Sequence, residues 1–92
     1  MATLSDDDIT RALAGLPGWD RAGSTIVKAF ERSSFPAAVA FVVQVGFLAE
    51  AANHHPDIDI RWRTVRLALT THDHGGLTPR DIELAAAIEG VA

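Results

Sequence analysis

The apolar stretch from Phe35 to Ala52 constrains this chain more than any other feature. Its only strongly polar residues are Gln44 and Glu50. It falls short of the ~20 consecutive apolar residues that cross a bilayer, so it reads as a buried helix. Ser34 is placed to cap it, Pro36 suits its first turn, and Asn53 with Pro56 ends it. Apolar side chains cover most of its circumference, and Ala37, Ala40, Gln44 and Ala51 form a face of smaller residues. A chain of 92 residues makes one domain, residues 1–92, and cannot easily surround a helix on every side. The small-residue face therefore meets either solvent or another subunit.

The remaining segments are short and fit around that helix. Ser5 followed by Asp6, Asp7 and Asp8 begins a first helix, whose apolar face is Ile9, Leu13 and Leu16 and which Pro17-Gly18 ends. Trp19 to Arg32 reads as a hairpin turning at Ala22–Thr25, with Ile26, Lys28 and Phe30 on one face. After Pro56, Ile58 and Ile60 alternate with Asp57, Asp59 and Arg61. A tight connection at Trp62-Arg63 leads to Val65, Leu67 and Leu69, giving a second hairpin with one face on a core. Thr78 caps a last helix that has Pro79 at its first position and Leu84, Ala85, Ile88 and Val91 as its buried stripe. The predicted order is α-β-β-α-β-β-α: an α+β fold with a four-stranded antiparallel sheet and helices packed on one face.

Composition narrows the chemistry. There is no cysteine, which excludes disulfides, thiolate metal sites and cysteine nucleophiles. The formal charge of −4, with one lysine and no basic run, argues against nucleic acid or an anionic membrane as partner. The acidic N-terminus has no apolar segment of a signal peptide, so the expected compartment is the cytoplasm.

All four histidines, His54, His55, His72 and His74, fall in the second half of the chain at the predicted ends of the long helix and the last strand. An imidazole moves protons near neutral pH, and element ends display side chains on a rigid frame. Glu50 lies four residues before His54 and shares its face if the helix persists, where its carboxylate would orient the ring. Metal binding is the rival chemistry. On an extended strand His72 and His74 point the same way, and with His54 or Asp73 they would form a nitrogen–oxygen site. Trp19 is either a stacking platform for a flat heterocycle or a core residue. Arg80 and Asp81 read as first-turn helix residues.

The run Glu50-Ala-Ala-Asn-His54-His55-Pro56-Asp57, with Thr71-His72, Gly76-Leu77-Thr78 and Arg80-Asp81, resembles the signature of the pterin-4a-carbinolamine dehydratases. The resemblance extends over nearly the whole chain after about Leu13. It implies dehydration of a 4a-hydroxytetrahydropterin to the quinonoid dihydropterin, the step that recycles the pterin of aromatic amino acid hydroxylases, with neither metal nor organic cofactor. It also implies a homodimer or homotetramer in which the long helix makes tetramer contacts. By the same resemblance His54 and His72 are the acid/base residues, His55 contacts substrate, and Glu50 and Trp19 line the pocket. Asn53, Pro56, Thr71, Asp73 and His74 complete the expected substrate-binding set. Some relatives carry an acidic residue in place of Asn53 and an aromatic one in place of Ile58. Others serve as dimerisation or assembly proteins, so the alternative is a scaffold with the same fold.

Overall fold

The computed structural model describes residues 2–92. Its elements are α1 (Asp6–Ala14), β1 (Asp20–Ala22), β2 (Thr25–Glu31), α2 (Phe35–Ala52), β3 (Asp57–Arg61), β4 (Thr64–Leu69), a single 3-10 turn (His72–His74) and α3 (Pro79–Glu89). The four strands form one antiparallel sheet in the order β1-β2-β4-β3. The expected α-β-β-α-β-β-α order and α+β class are therefore what the chain adopts.

Both hairpins turn through two residues, since Ala22 pairs with Thr25 and Arg61 with Thr64. In each, the first turn residue has positive φ: 63° at Gly23 and 52° at Trp62. That backbone twist matches the twist of the flanking strands. Between the hairpins, β2 and β4 pair with Ile26 opposite Leu69, Lys28 opposite Leu67 and Phe30 opposite Val65. Residues directly opposite share a face, and this face is the core side. Ile26, Phe30, Val65, Leu67 and Leu69 are all buried there, against Ala38, Phe41, Val45 and Ala49 of α2 and Leu84, Ala85 and Ile88 of α3.

Two expectations about burial are corrected. The first concerns α2, whose length and mean hydropathy of 1.7 would fit a membrane-spanning helix. Only one stripe of it is buried, and Phe35, Val39, Val43 and Phe47 face outward. The three-residue and four-residue steps between its buried side chains bring only that stripe onto the sheet. The small-residue face lies elsewhere, with Ala37, Ala40 and Gln44 lining a groove beside Glu31, Arg32 and Ser33. The second concerns β3. Ile58 and Ile60 lie opposite Leu67 and Val65 yet remain 40% and 38% exposed. β3 is an edge strand, paired on one side only.

Helix α2 ends in a Schellman motif, two backbone bonds closing around a left-handed residue. Asn53 supplies that residue, at φ 49° and ψ 45°. Its N–H donates to Glu50 O at 3.1 Å, and the N–H of His54 donates to Ala49 O at 3.0 Å. Left-handed backbone costs a residue with a Cβ about 1–2 kcal/mol, and asparagine and glycine bear it best. Asn53→Ala is therefore expected to lower stability by roughly 1 kcal/mol, and Asn53→Gly to leave it nearly unchanged. Denaturant titration of the two variants checks this.

Candidate functional site

The Schellman turn decides where the first pair of histidines points. Because the helix does not persist past Ala52, the expected pairing of Glu50 with His54 does not form. Glu50 instead pairs with the next residue, its Oε1 lying 2.8 Å from His55 Nε2 at the surface. His54 turns inward and is 7% exposed, with its Nε2 2.5 Å from Oδ1 of Asp81. Arg80 Nη2 donates to the carbonyl oxygens of Ala52 and Asn53. It thereby sets a cation at the negative end of α2.

Asp81 is the third residue of α3 and is fully buried. Its Oδ2 accepts from the Thr78 backbone N–H at 3.0 Å, the return arm of a capping box. The same oxygen accepts from Thr71 Oγ1 at 2.7 Å. Thr71 Oγ1 and Thr78 Oγ1 lie 2.8 Å apart. Thr71 gives its proton to Asp81, so Thr78 donates in that contact. A buried carboxylate persists only where donors replace its lost hydration, and this one has three.

Thr71 also fixes the second pair of histidines. It follows the end of β4 and forms an isolated antiparallel bridge with Gly76. Between them the chain makes the 3-10 turn His72–His74, capped by Gly75 at φ 70°. The expectation that His72 and His74 share one side of an extended strand is corrected by this turn. β4 stops at Leu69, and the close return required by the Thr71–Gly76 bridge leaves no room for extended backbone. Among the described residues, no group of three His, Cys, Asp or Glu side chains converges as a metal site.

The two regions meet in an open cleft of about 190 Å³, lined by Asn53, His54, His55, Thr70, Thr71, His72, Asp73 and Arg80. Four larger grooves elsewhere carry no histidine. Of the residues expected at the site, Asn53, His54, His55, Thr71, His72 and Asp73 thus come together, and Glu50 borders them through His55. His74 and Pro56 are not in the lining. Trp19 lies in the core at 3% exposure, edge-on to Phe30 with ring centroids 6.0 Å apart. Within this chain it takes the core alternative, although its buried Nε1 has no hydrogen-bond partner. The sequence marks Asp81 as a first-turn helix residue within the family-like signature and assigns it no place in the site. The spacing Thr78-Pro-Arg-Asp81 carries the missing signal, because a capping box turns its third-position carboxylate back toward the segment before the helix.

The family model for pterin 4 alpha carbinolamine dehydratase matches residues 2–91. The chain belongs to the pterin 4 alpha carbinolamine dehydratase family. Relatives named provisionally as such dehydratases include a protein of Roseiflexus sp. (strain RS-1), 61% identical and covering 99% of both chains. Another, from Nocardia farcinica (strain IFM 10152), is 55% identical over 97% of this chain and 94% of its own. Among solved structures, a transcriptional coactivator/pterin dehydratase from Brucella melitensis superposes with a TM-score of 0.94 at 29% identity, covering 98% of each chain. A pterin dehydratase-like protein described as a RuBisCO assembly factor of the alpha-carboxysome has a TM-score of 0.70 at 23% identity, covering 82% of this chain and 89% of its own. That second likeness is one of fold.

In this family member the Thr71 hydroxyl is spent on Asp81 and Thr78. Thr71→Val removes a hydrogen bond to a buried carboxylate and is expected to cost about 1.5–3 kcal/mol. Thr71→Ser keeps the hydroxyl and loses only a buried methyl, roughly 0.8 kcal/mol. Urea denaturation of the pair separates the two contributions.

Proposed function

We propose that this protein, acting as one domain over residues 1–92, dehydrates 4a-hydroxytetrahydropterin to quinonoid dihydropterin by histidine acid/base catalysis. The observation that carries the reading is the convergence of His54 and His72 on one cleft in a chain of the dehydratase family. As the bond from C4a to the hydroxyl oxygen breaks, a ring nitrogen gives up its proton and its electron pair forms the new C=N bond. The hydroxyl leaves with a second proton as water. The reaction needs one group to take a proton and one to give it, and two imidazoles supply both at neutral pH. Such help is worth about 10²–10⁴-fold. His55, oriented by Glu50, and Asn53 and Asp73 supply polar contacts for the pterin ring. No metal or organic cofactor enters this chemistry, and the natural setting is recycling of hydroxylase pterin in the cytoplasm.

The activity is tested by generating the 4a-carbinolamine with an aromatic amino acid hydroxylase and following the absorbance of quinonoid dihydropterin. Substoichiometric protein is expected to accelerate its appearance, and chelator treatment to leave the rate unchanged. His54→Ala and His72→Ala should each lower turnover by about 10²-fold or more. His55→Ala should act mainly on KM, and His74→Ala should have the smallest effect, since His74 is outside the cleft lining. A correctly folded wild type without acceleration would sink the catalytic reading and leave the scaffold alternative.

The same reading includes a homodimer or homotetramer. The outward row Phe35, Val39, Val43 and Phe47 on α2 includes Phe47 at 74% exposure, more apolar surface than a helix normally leaves in water. Light scattering is expected to show an oligomer, and Val43→Glu to lower its mass while the far-ultraviolet circular dichroism stays unchanged. A wild-type monomer at micromolar concentration would overturn this part.

A further inference from the structure

The carboxylate of Asp81 is occupied asymmetrically. Oδ2 accepts both the Thr78 N–H and the Thr71 hydroxyl, leaving Oδ1 for His54 Nε2. An ionised carboxylate accepts and never donates, so Nε2 carries the proton in that contact. A neutral imidazole holds a single N–H, and its other nitrogen is then an acceptor. Among the described residues His54 Nδ1 has no hydrogen-bond partner, and it is not one of the buried unpaired atoms, which are Trp19 Nε1, Arg63 Nε and Glu89 Oε2. Nδ1 is therefore open to the cleft that His54 lines.

We infer that Asp81 is a positioning residue that holds neutral His54 with its proton on Nε2, making Nδ1 the atom that takes up and returns the proton in the cleft. The inference rests on the dehydratase reading only where it concerns turnover. The tautomer itself follows from the hydrogen bonds around one carboxylate. Those bonds also predict what amide replacement does. In D81N the position of Oδ2 must still accept from Thr78 N–H and Thr71 Oγ1, and only the amide oxygen accepts. The amide NH₂ then faces His54 Nε2 and donates to it, which moves the imidazole proton to Nδ1. The α3 cap survives this exchange, and the acceptor at the cleft is lost. A purely structural Asp81 predicts the reverse: D81N keeps the cap and changes nothing else.

The test uses the full chain with ¹⁵N-labelled imidazoles. Long-range ¹H–¹⁵N spectra at alkaline pH report which ring nitrogen is protonated. The wild type is expected to show the Nε2–H pattern and D81N the Nδ1–H pattern. In the dehydration assay kcat of D81N is expected to fall by about 10²–10⁴-fold, the span of one general acid–base group, with KM little changed. An Nδ1–H pattern in the wild type would overturn the inference, as would an unchanged pattern in D81N or a tautomer change with turnover intact. If D81N does not fold, the wild-type spectrum alone decides. The failures are distinguishable: an inactive wild type that shows Nε2–H sinks the dehydratase reading and leaves the tautomer assignment standing.

Discussion

The carboxylate of Asp81 is the point on which the site depends. It binds the first turn of α3 through Thr78, the segment after β4 through Thr71, and the segment after α2 through His54. Three segments are thus fixed to one buried charge, with Thr71 and Thr78 seven residues apart and His54 27 residues before Asp81. Its donors are a backbone amide, a hydroxyl and an imidazole, so the site is held together by directional bonds. The hydrophobic core beneath has no such directionality. The core brings the elements near one another, and the directional bonds to the carboxylate fix their relative positions.

A second constraint is that each histidine pair is released from its element by a defined backbone device. At the end of α2 the left-handed Asn53 turns the chain, so adjacent histidines diverge: His54 goes inward to a buried partner and His55 outward to Glu50. After β4 the Thr71–Gly76 bridge and the left-handed Gly75 close a tight turn that carries His72 to the same cleft. Arg80 strengthens the first device by bonding the free carbonyls at the end of α2. Side chains at such termini are held by backbone geometry and remain accessible.

Element order and the two hairpins were legible in the sequence because each rests on local signals, whereas most of the cleft residues were named through the family resemblance. The alternation in β2 and β4, the caps at Ser34 and Thr78, and the breaks at Asn53 and Gly75-Gly76 are written in adjacent residues. The partner of His54 was not legible in this way. Helical spacing favoured Glu50, four residues away, but the break at Asn53 ends α2 at Ala52, two residues before His54. The true partner is Asp81, 27 residues on. Long-range pairing of this kind is fixed only when α3 docks. The exposure of Ile58 and Ile60 was hidden for a related reason. Alternation shows which side chains share a face, but sheet order decides whether anything covers that face. Trp19 was ambiguous because a large ring at a strand start serves core packing and ligand stacking equally well.

The outward row of α2 carries a geometrical consequence. Phe35, Val39, Val43 and Phe47 are spaced four residues apart, so they form one continuous ridge inclined to the helix axis. Ridges of this kind interlock with their like when two helices cross at about −50°. An identical α2 meeting this one across a twofold axis would therefore cross it obliquely, touching over a few turns near the middle. Such a crossing would join subunits through a compact patch at the centre of the helix. Glu50 lies on the turn after Phe47 and lines one groove with Val43 and Phe47, so the end of the ridge adjoins the carboxylate that pairs with His55.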